Sequence, residues 1–330
     1  MPTSDRPPLI KPSALRPGDV VGIIAPASNI KRELLHSGCD ALRKLGYQPF
    51  YFDSILEQDL YFAGSAERRA QELAEMFHRP EVKAIICARG GYGANYLLDK
   101  IDLERIRVNP KIFVGYSDVT SLLTYFTDAT GLVTFHGPMV TKDFSHGDGV
   151  DLHSWTQAVF GAGDWEIRVD GDSGVRPLAD GVAEGVLYGG CLSMLAASLG
   201  TPYEIHTEGT ILFIEDVQAK PYQIDRMLMQ MKLAGKLDAV RGIIFGEMLD
   251  CVQHEKQGYT LEQVVMRIVG PLGIPVIYGL KSGHVSKENV TLPIGVRAEL
   301  QVTGTRSSFR ILEAATIAAP STAHAVGPNP

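Results

Sequence analysis

The sequence predicts an α/β protein, with an open parallel sheet in its first third and a more strand-rich α+β second half. Three observations carry this. Short apolar runs alternate with helical patterns as far as residue 139, and that order builds a parallel sheet with helices on both faces. Periodicity then weakens over 141–183, a stretch rich in Gly, Asp and Ser that holds both tryptophans, Trp155 and Trp165. Beyond it apolar strand-like runs return, and residues 290–312 alternate with period two.

DVVGIIAPAS (19–28) reads as a buried strand ending in a small-residue turn. Residues 31–45 read as a helix, because Leu34, Leu35, Cys39, Leu42 and Leu45 fall near one face. YQPFYFD (47–53) is a second strand, and SAERRAQELAEMFH (65–78) a helix with Ser65 as its cap. VKAIICA (82–88) is a third strand, followed by the glycine loop RGGYG (89–93) and a helix through Leu98. KIFVG (111–115) is a fourth strand, DVTSLLTYFTDAT a fourth helix, and GLVTFHGPM (131–139) closes the series.

The weakly periodic stretch reads as a linker or lid. VAEGVLYGG (182–190) then turns into a helix, CLSMLAASLG. TILFIED (210–216) is a strand, IDRMLMQMKLAG (224–235) an amphipathic helix, and AVRGIIFGEM and IPVIYGL are two more strands. TLPIGVRAELQVTGTRSSFRIL looks like a hairpin, and the small, polar, Pro-rich tail from 314 is expected to be disordered. The expected organisation is a first domain over 1–145, a linker or lid over 146–183, a second domain over 184–313 and a tail over 314–330.

At 330 residues with 45% apolar and 21% charged side chains, the chain can bury a real core. A net charge of −7 gives no basic footprint for nucleic acid. No apolar run approaches the roughly 18–20 residues of a membrane span. The Pro-rich start MPTSDRPPLIKPSALRPGD lacks the apolar core of a secretory signal, so the cytoplasm is the expected location. The four cysteines, Cys39, Cys87, Cys191 and Cys251, form no CxxC pair and no zinc spacing. Cys87 lies in an apolar run and reads as core, while Cys191 and Cys251 follow turn-like stretches and are less easily dismissed.

Ser117 raises the question of chemistry. It stands where the strand KIFVG meets a helix, at the strand end where open parallel sheets place ligands and where unpaired helix N–H groups favour negative charge. The G-x-S-x-G nucleophile elbow uses this geometry, but Val119 replaces its second glycine. Ser117 or Asp118 can equally be a simple cap. RGGYG is no phosphate loop, and Gly91–Tyr96 breaks G-x-G-x-x-G at its last position. Its glycines can still aim N–H groups into a cleft, as an oxyanion hole requires, or form only a tight turn.

A serine nucleophile needs a base, and the base an orienting acid. Among nine histidines, His284 lies in a polar turn after a strand, with Gly283 permitting a sharp bend; His136, in TFHGPM, is its rival. Glu215 and Asp216 end the strand TILFIED, and period two sends them to opposite faces. A plain salt bridge to Lys220 or Arg226 is the simpler alternative for either. The chain order is then Ser, Glu, His, with the serine in the first domain and its partners in the second, a site at a domain interface.

LRPGDVVGIIAPAS, ARGGYGANYLLDKID, FVGYSDVTSLL, TFHGPM, EGVLYGGCLSMLAASLGTPY, LFIEDVQAKPYQIDRMLMQM and SGHVSKENVTLPIG run in order from about residue 12 to 300. Together they resemble the LD-carboxypeptidase family of serine peptidases, which also holds the microcin-immunity peptidases. The resemblance implies a flavodoxin-like N-terminal domain, a β-rich C-terminal domain and a site between them. It implies Ser117 as nucleophile, His284 as general base and acid, Glu215 as the group orienting the imidazole, and the N–H groups of Gly91 and Asp118 as oxyanion hole. It further implies a homodimer that needs no metal or cofactor and releases the terminal D-alanine of murein tetrapeptides during cell-wall recycling. An immunity-type peptidase acting on an aminoacyl-nucleotide antibiotic is the alternative, and it calls for an aromatic ring over the cleft, Trp155 or Trp165. A non-enzymatic binding protein on the same fold is the remaining one. Two places depart from the family pattern: Cys191 follows Gly190 where Asn is frequent, and GEMLDCV replaces an aromatic-rich continuation after 242–246. Both are expected to line or support the cleft.

Overall fold

The structure, a computed structural model, describes residues 7–169, 173–252 and 258–318. Val20–Ile24 (β1), Gln48–Phe50 (β2), Val82–Cys87 (β3), Ile112–Gly115 (β4) and Thr134–His136 (β5) pair in parallel in the order β2-β1-β3-β4-β5. That is the flavodoxin-like order, reversing between β1 and β3. β1, β3 and β4 are almost wholly buried runs of Val, Ile and Phe, as strands covered on both faces must be.

The helices follow their apolar stripes. Arg32–Lys44 (α1) buries Leu35, Gly38, Cys39 and Leu42. Ala66–His78 (α2) begins at Ser65, whose Oγ accepts a hydrogen bond from the Arg68 N–H at 3.2 Å. Leu103–Val108 (α3), capped by Asp102, is too short to show a period and was not expected. Thr120–Thr130 (α4) starts after a single 3-10 turn over Ser117–Val119 and ends at Gly131 in the left-handed region.

The second sheet holds Trp165–Ile167 (β6), Arg176–Ala179 (β7), Gly181–Cys191 (β8), Thr210–Glu215 (β9), Gly242–Gly246 (β10), Val276–Leu280 (β11), Arg297–Thr303 (β13) and Arg306–Ile311 (β14). Its order is β6-β14-β13-β8-β9-β10-β11-β7. The four central strands β8 to β11 are parallel and the outer ones antiparallel. Leu192–Ala197 (α6), Pro221–Leu233 (α7) and Leu261–Val269 (α8) connect the parallel centre. The second half is thus strand-rich as expected, with a parallel core like the first.

Three boundaries are corrected. The 146–183 stretch, expected as a linker or lid, carries regular elements among its described residues. Its Leu152–Val159 helix (α5), capped by Asp151, buries Trp155 against Phe144, and the indole N–H donates to the Tyr47 hydroxyl at 3.3 Å. β6 and β7 then close the two edges of the second sheet. Elements this short carry too few residues for a period to register. The segment expected as one hairpin also splits. β13 and β14 form the hairpin, but Leu292–Ile294 (β12) crosses back and pairs antiparallel with β5 at the edge of the first sheet. Finally, the start of the supposed tail is docked: Ala315 and Thr316 are buried, and Ile317 exchanges backbone hydrogen bonds with Pro12 and Ala14 at 2.9 and 2.8 Å. Residues 319–330 lie outside the described residues.

Trp155 is 1% exposed and ties the 146–183 stretch to the first domain. Trp155→Ala is expected to cost about 3–5 kcal/mol of unfolding free energy, the range for a large core aromatic. The reading is a lower urea midpoint at unchanged slope. A loss below about 1 kcal/mol would mean that α5 is not the structural element described.

Candidate active site

The carboxyl ends of β1, β3 and β4 meet at one place. After β4, Tyr116 is extended and Ser117 takes φ = +63°, a left-handed conformation uncommon outside glycine. Val119 at φ = −65° is ordinary right-handed backbone, so the glycine missing from the elbow motif is not needed here. The loop after β3 comes close to this turn: a Cβ on Gly90 would stand 2.8 Å from that of Ser117. Gly91 follows at φ = +101°. Ser28, after β1, fixes the loop: its N–H donates to the Gly90 carbonyl at 3.2 Å and its Oγ accepts from the Tyr92 N–H at 3.1 Å.

Two buried charges latch these loops together. Arg69 Nη1 donates to the carbonyls of Pro26 and Gly93 at 2.6 and 2.8 Å. Asp118 Oδ2 accepts from the Ala94 N–H at 2.7 Å. Burial pushes the Asp118 carboxyl up to about 6, against the pull of the Ala94 and Gly93 N–H groups and Arg69. Among the described residues, the N–H groups of Gly91 and Asp118 donate to no partner in the chain.

Glu215 ends β9 with no exposed surface. Its Oε2 accepts two hydrogen bonds from His284, from the backbone N–H at 3.1 Å and from Nδ1 at 2.8 Å. Gly283 makes this contact possible, because a Cβ there would stand 2.6 Å from the Glu215 carboxyl carbon. Asn289 holds the same loop, accepting from the Gly283 N–H at 3.0 Å and donating to its carbonyl at 3.2 Å. Asp216 points away, as period two requires, and accepts from Ser193 N–H and Oγ–H at 2.9 and 2.6 Å. Among the described residues neither carboxylate pairs with Lys220 or Arg226.

The electrostatics follow from this pairing. Burial alone would raise the Glu215 carboxyl, but the charge and hydrogen bonds of His284, with the His136 ring also facing the carboxylate, outweigh it and hold it well below the usual range. Burial opposes a proton on His284, yet the Glu215 carboxylate prevails and raises the imidazole above 6.5. The four cysteines are buried and unpaired by disulfide. Burial pushes the thiols of Cys191 and Cys251 up, the latter to about 12, so neither is a reactive nucleophile.

The predicted residues therefore come together in part. Glu215 and His284 are joined directly. The His284 ring packs edge-on against Tyr116, the neighbour of Ser117, with centroids 5.2 Å apart. Among the described residues Ser117 Oγ makes no hydrogen bond. His136, the rival base, lies behind Glu215 with Nε2 3.8 Å from Oε1. Of the departures, Cys191 donates its N–H to Thr120 Oγ1 at 3.1 Å, and Glu247 accepts from the Ser286 N–H at 2.9 Å, two residues from His284. Ser28 and Arg69 were not expected, and only the small-residue turn APAS hinted at the first. Trp155 and Trp165 are both buried; Trp165 lines a cavity with Asp151, Lys281 and Glu288, and neither ring lies at the Ser117 turn.

Models of the LD-carboxypeptidase N-terminal and C-terminal domains match residues 21–137 and 184–300. The chain belongs to the LD-carboxypeptidase family. A probable murein peptide carboxypeptidase of Bacillus subtilis (strain 168) is 42% identical, over 88% of this chain and 91% of the relative. The microcin C7 self-immunity protein MccF of Escherichia coli is 30% identical, over 85% of this chain and 90% of its own. The crystal structure of muramoyltetrapeptide carboxypeptidase from Oxalobacter formigenes superposes with a TM-score of 0.80 at 30% identity, covering 89% of this chain and 99% of that one. Membership in this family makes the protein a serine-type peptidase by class. Among the described residues no helix is long and apolar enough to cross a membrane, and no group of three or more His, Cys, Asp or Glu could hold a metal ion.

The left-handed backbone at Ser117 costs a residue with a Cβ about 1–2 kcal/mol. Ser117→Gly is therefore expected to be more stable than Ser117→Ala by about 1 kcal/mol, although both lack the hydroxyl. Chemical denaturation of the two variants side by side measures it, and equal stabilities would remove the strain.

Proposed function

We propose that this LD-carboxypeptidase family member hydrolyses the L,D-amide bond that releases the terminal D-alanine of murein tetrapeptides. We place it in the cytoplasm, in cell-wall recycling, as a homodimer. The observation that carries the reading is the buried Glu215–His284 pair packed against the turn that holds Ser117 at positive φ. Nδ1 of His284 is committed to Glu215, which leaves Nε2 as the nitrogen for the serine proton.

In this mechanism Ser117 Oγ attacks the amide carbonyl and His284 Nε2 takes its proton. The carbonyl oxygen becomes an oxyanion, held by the N–H of Gly91 in the loop after β3 and that of Asp118 in the turn leading into α4. His284 then gives the proton to the departing D-alanine amine as the C–N bond breaks. Water attacks the acyl-enzyme by the same route, its proton passing to Nε2 and on to Ser117 Oγ. Glu215 keeps the imidazole in the right tautomer and balances its transient positive charge.

The similarity to the self-immunity protein supports a second reading, cleavage of an aminoacyl-nucleotide antibiotic. The tryptophans cannot provide the aromatic face for it. Tyr61 and Tyr92, about half exposed and 6.0 Å apart beside the glycine loop, can.

The test is D-alanine release from purified L-Ala-γ-D-Glu-meso-diaminopimelate-D-Ala, wild type beside Ser117→Ala. Release by the wild type alone is expected; release by both would sink the nucleophile, and release by neither would turn the test to an aminoacyl-nucleotide. The pH profile carries a sign. His284 must be neutral to act as base, and its proton is held more tightly than in a free imidazole, so kcat/KM should fall as pH drops through a value above 6.5. An acid limb below 6.5 would contradict the Glu215 coupling.

A further inference from the structure

Glu215 has two carboxylate oxygens, and the mechanism above uses one. Oε2 takes both hydrogen bonds from His284, while Oε1 is buried without a partner. Facing it at 3.8 Å is Nε2 of His136, also buried and without a partner. His136 lies in β5, in register with Gly115 of β4 and Leu292 of β12, so the two residues reach each other from different sheets. Phe213 and Tyr116 hold the His136 ring at centroid distances of 5.0 and 5.9 Å. Its Nδ1 is 2.9 Å from Ser282 Oγ, which is also 2.8 Å from the Val290 carbonyl oxygen.

Counting protons selects the tautomer. Ser282 has one hydroxyl proton and two acceptors for it. If the proton goes to Val290, Nδ1 must carry the imidazole proton, and Nε2 turns a lone pair towards a carboxylate oxygen in a buried space. If it goes to Nδ1, the imidazole proton sits on Nε2 and Oε1 gains a donor, at the expense of one neutral carbonyl contact. Hydrogen bonds to an ionised group are roughly twice as strong as neutral ones. An ionised oxygen left bare in the interior is also worse than a bare carbonyl. The second arrangement wins, and a ring shift of roughly 1 Å brings the pair to hydrogen-bond length.

We propose that His136 is a positioning residue for the catalytic pair: its Nε2–H holds Oε1 of Glu215, so that Oε2 stays aimed at His284. The proposal rests on the roles given to Ser117, Glu215 and His284 above. The resulting chain runs from Ser282 through His136 and Glu215 to His284. The other titratable groups around it are Tyr116, whose hydroxyl approaches Asp143 at 3.4 Å, Cys191, the register partner of Glu215, Asp216 on the opposite face of β9, Cys251, and Lys142, whose charge opposes a proton on His284. Without the donor, the charge on Glu215 bears more fully on His284 and holds its proton more tightly. The acid limb of kcat/KM then moves to higher pH.

Two substitutions separate the ring nitrogens, because glutamine offers an N–H near the place of Nε2 and asparagine near that of Nδ1. His136→Gln is expected to stay within about threefold of wild type in kcat, with its acid limb unmoved. His136→Asn is expected to lose about tenfold in kcat at neutral pH, with KM little changed and the acid limb raised by about half a pH unit. Equal losses in the two variants, as a packing role would give, or an Asn profile that overlays wild type, would overturn the proposal. Nitrogen-15 NMR of the wild-type imidazoles reads the tautomer directly and needs neither variant nor substrate. A protonated Nε2 on His136 above the acid limb supports the proposal, and an unprotonated one overturns it. Failure of the tetrapeptide as a substrate would leave that NMR result standing, so the two readings fail separately.

Discussion

A carboxylate with no exposed surface sits where two sheets meet, and the architecture around it serves to keep it ionised. Moving an ion out of water costs several kcal/mol even after the protein relaxes, unless charge and hydrogen bonds offset it. For Glu215 the leading part of the offset comes from one short loop, which supplies both a backbone N–H and an imidazole. The Gly283 backbone, the Asn289 side chain and the Ser286–Glu247 contact all bear on the shape of that loop. The ionised acid in turn defines His284, holding its ring edge-on to Tyr116 and raising its affinity for a proton.

Both halves contribute through the same geometric rule. A parallel sheet delivers all its strand ends to one side, and loops from several strands can then converge without long excursions. The first sheet brings the ends of β1, β3 and β4 together as Ser28, the glycine loop and Ser117. The second brings Glu215 from β9 and, after β11, His284. Backbone strain at Ser117 is tolerated because its neighbours are over-determined: Asp118 is fastened to Ala94, and Arg69 spans Pro26 and Gly93.

Much of this was legible in the chain. The longer amphipathic helices α1, α2 and α4 are readable from their apolar stripes, whereas α3, α5 and the strands at 165–167 and 176–179, each short and set in polar or Gly-rich sequence, are not. The Glu215–Asp216 choice could be framed from period two, but only the fold shows which face meets a histidine. Val119 counted against an elbow that forms regardless, because a consensus motif records one solution to a steric problem and not the problem itself. By sequence alone His136 is a competitor of His284. Its position on the far side of the same carboxylate depends on two sheets meeting, which no local pattern encodes. Trp155 and Trp165 stood out by rarity, and their burial removes them from the cleft. Sequence distance hid two docking events altogether, Ile317 beside Ser13 and β12 beside β5.

The return of β12 to the first sheet has a bearing on how the chain is made. Up to about residue 280 a growing polypeptide holds every parallel strand of the first sheet, yet β5 has an unpaired edge along Thr134–His136. Open sheet edges recruit other chains. The covering strand arrives only after the His284 loop, so the same stretch of synthesis closes the edge and delivers the imidazole. A cut between the two halves would therefore separate β12 from the edge it covers. The imidazole and the strand that covers the β5 edge thus emerge within one short stretch of chain.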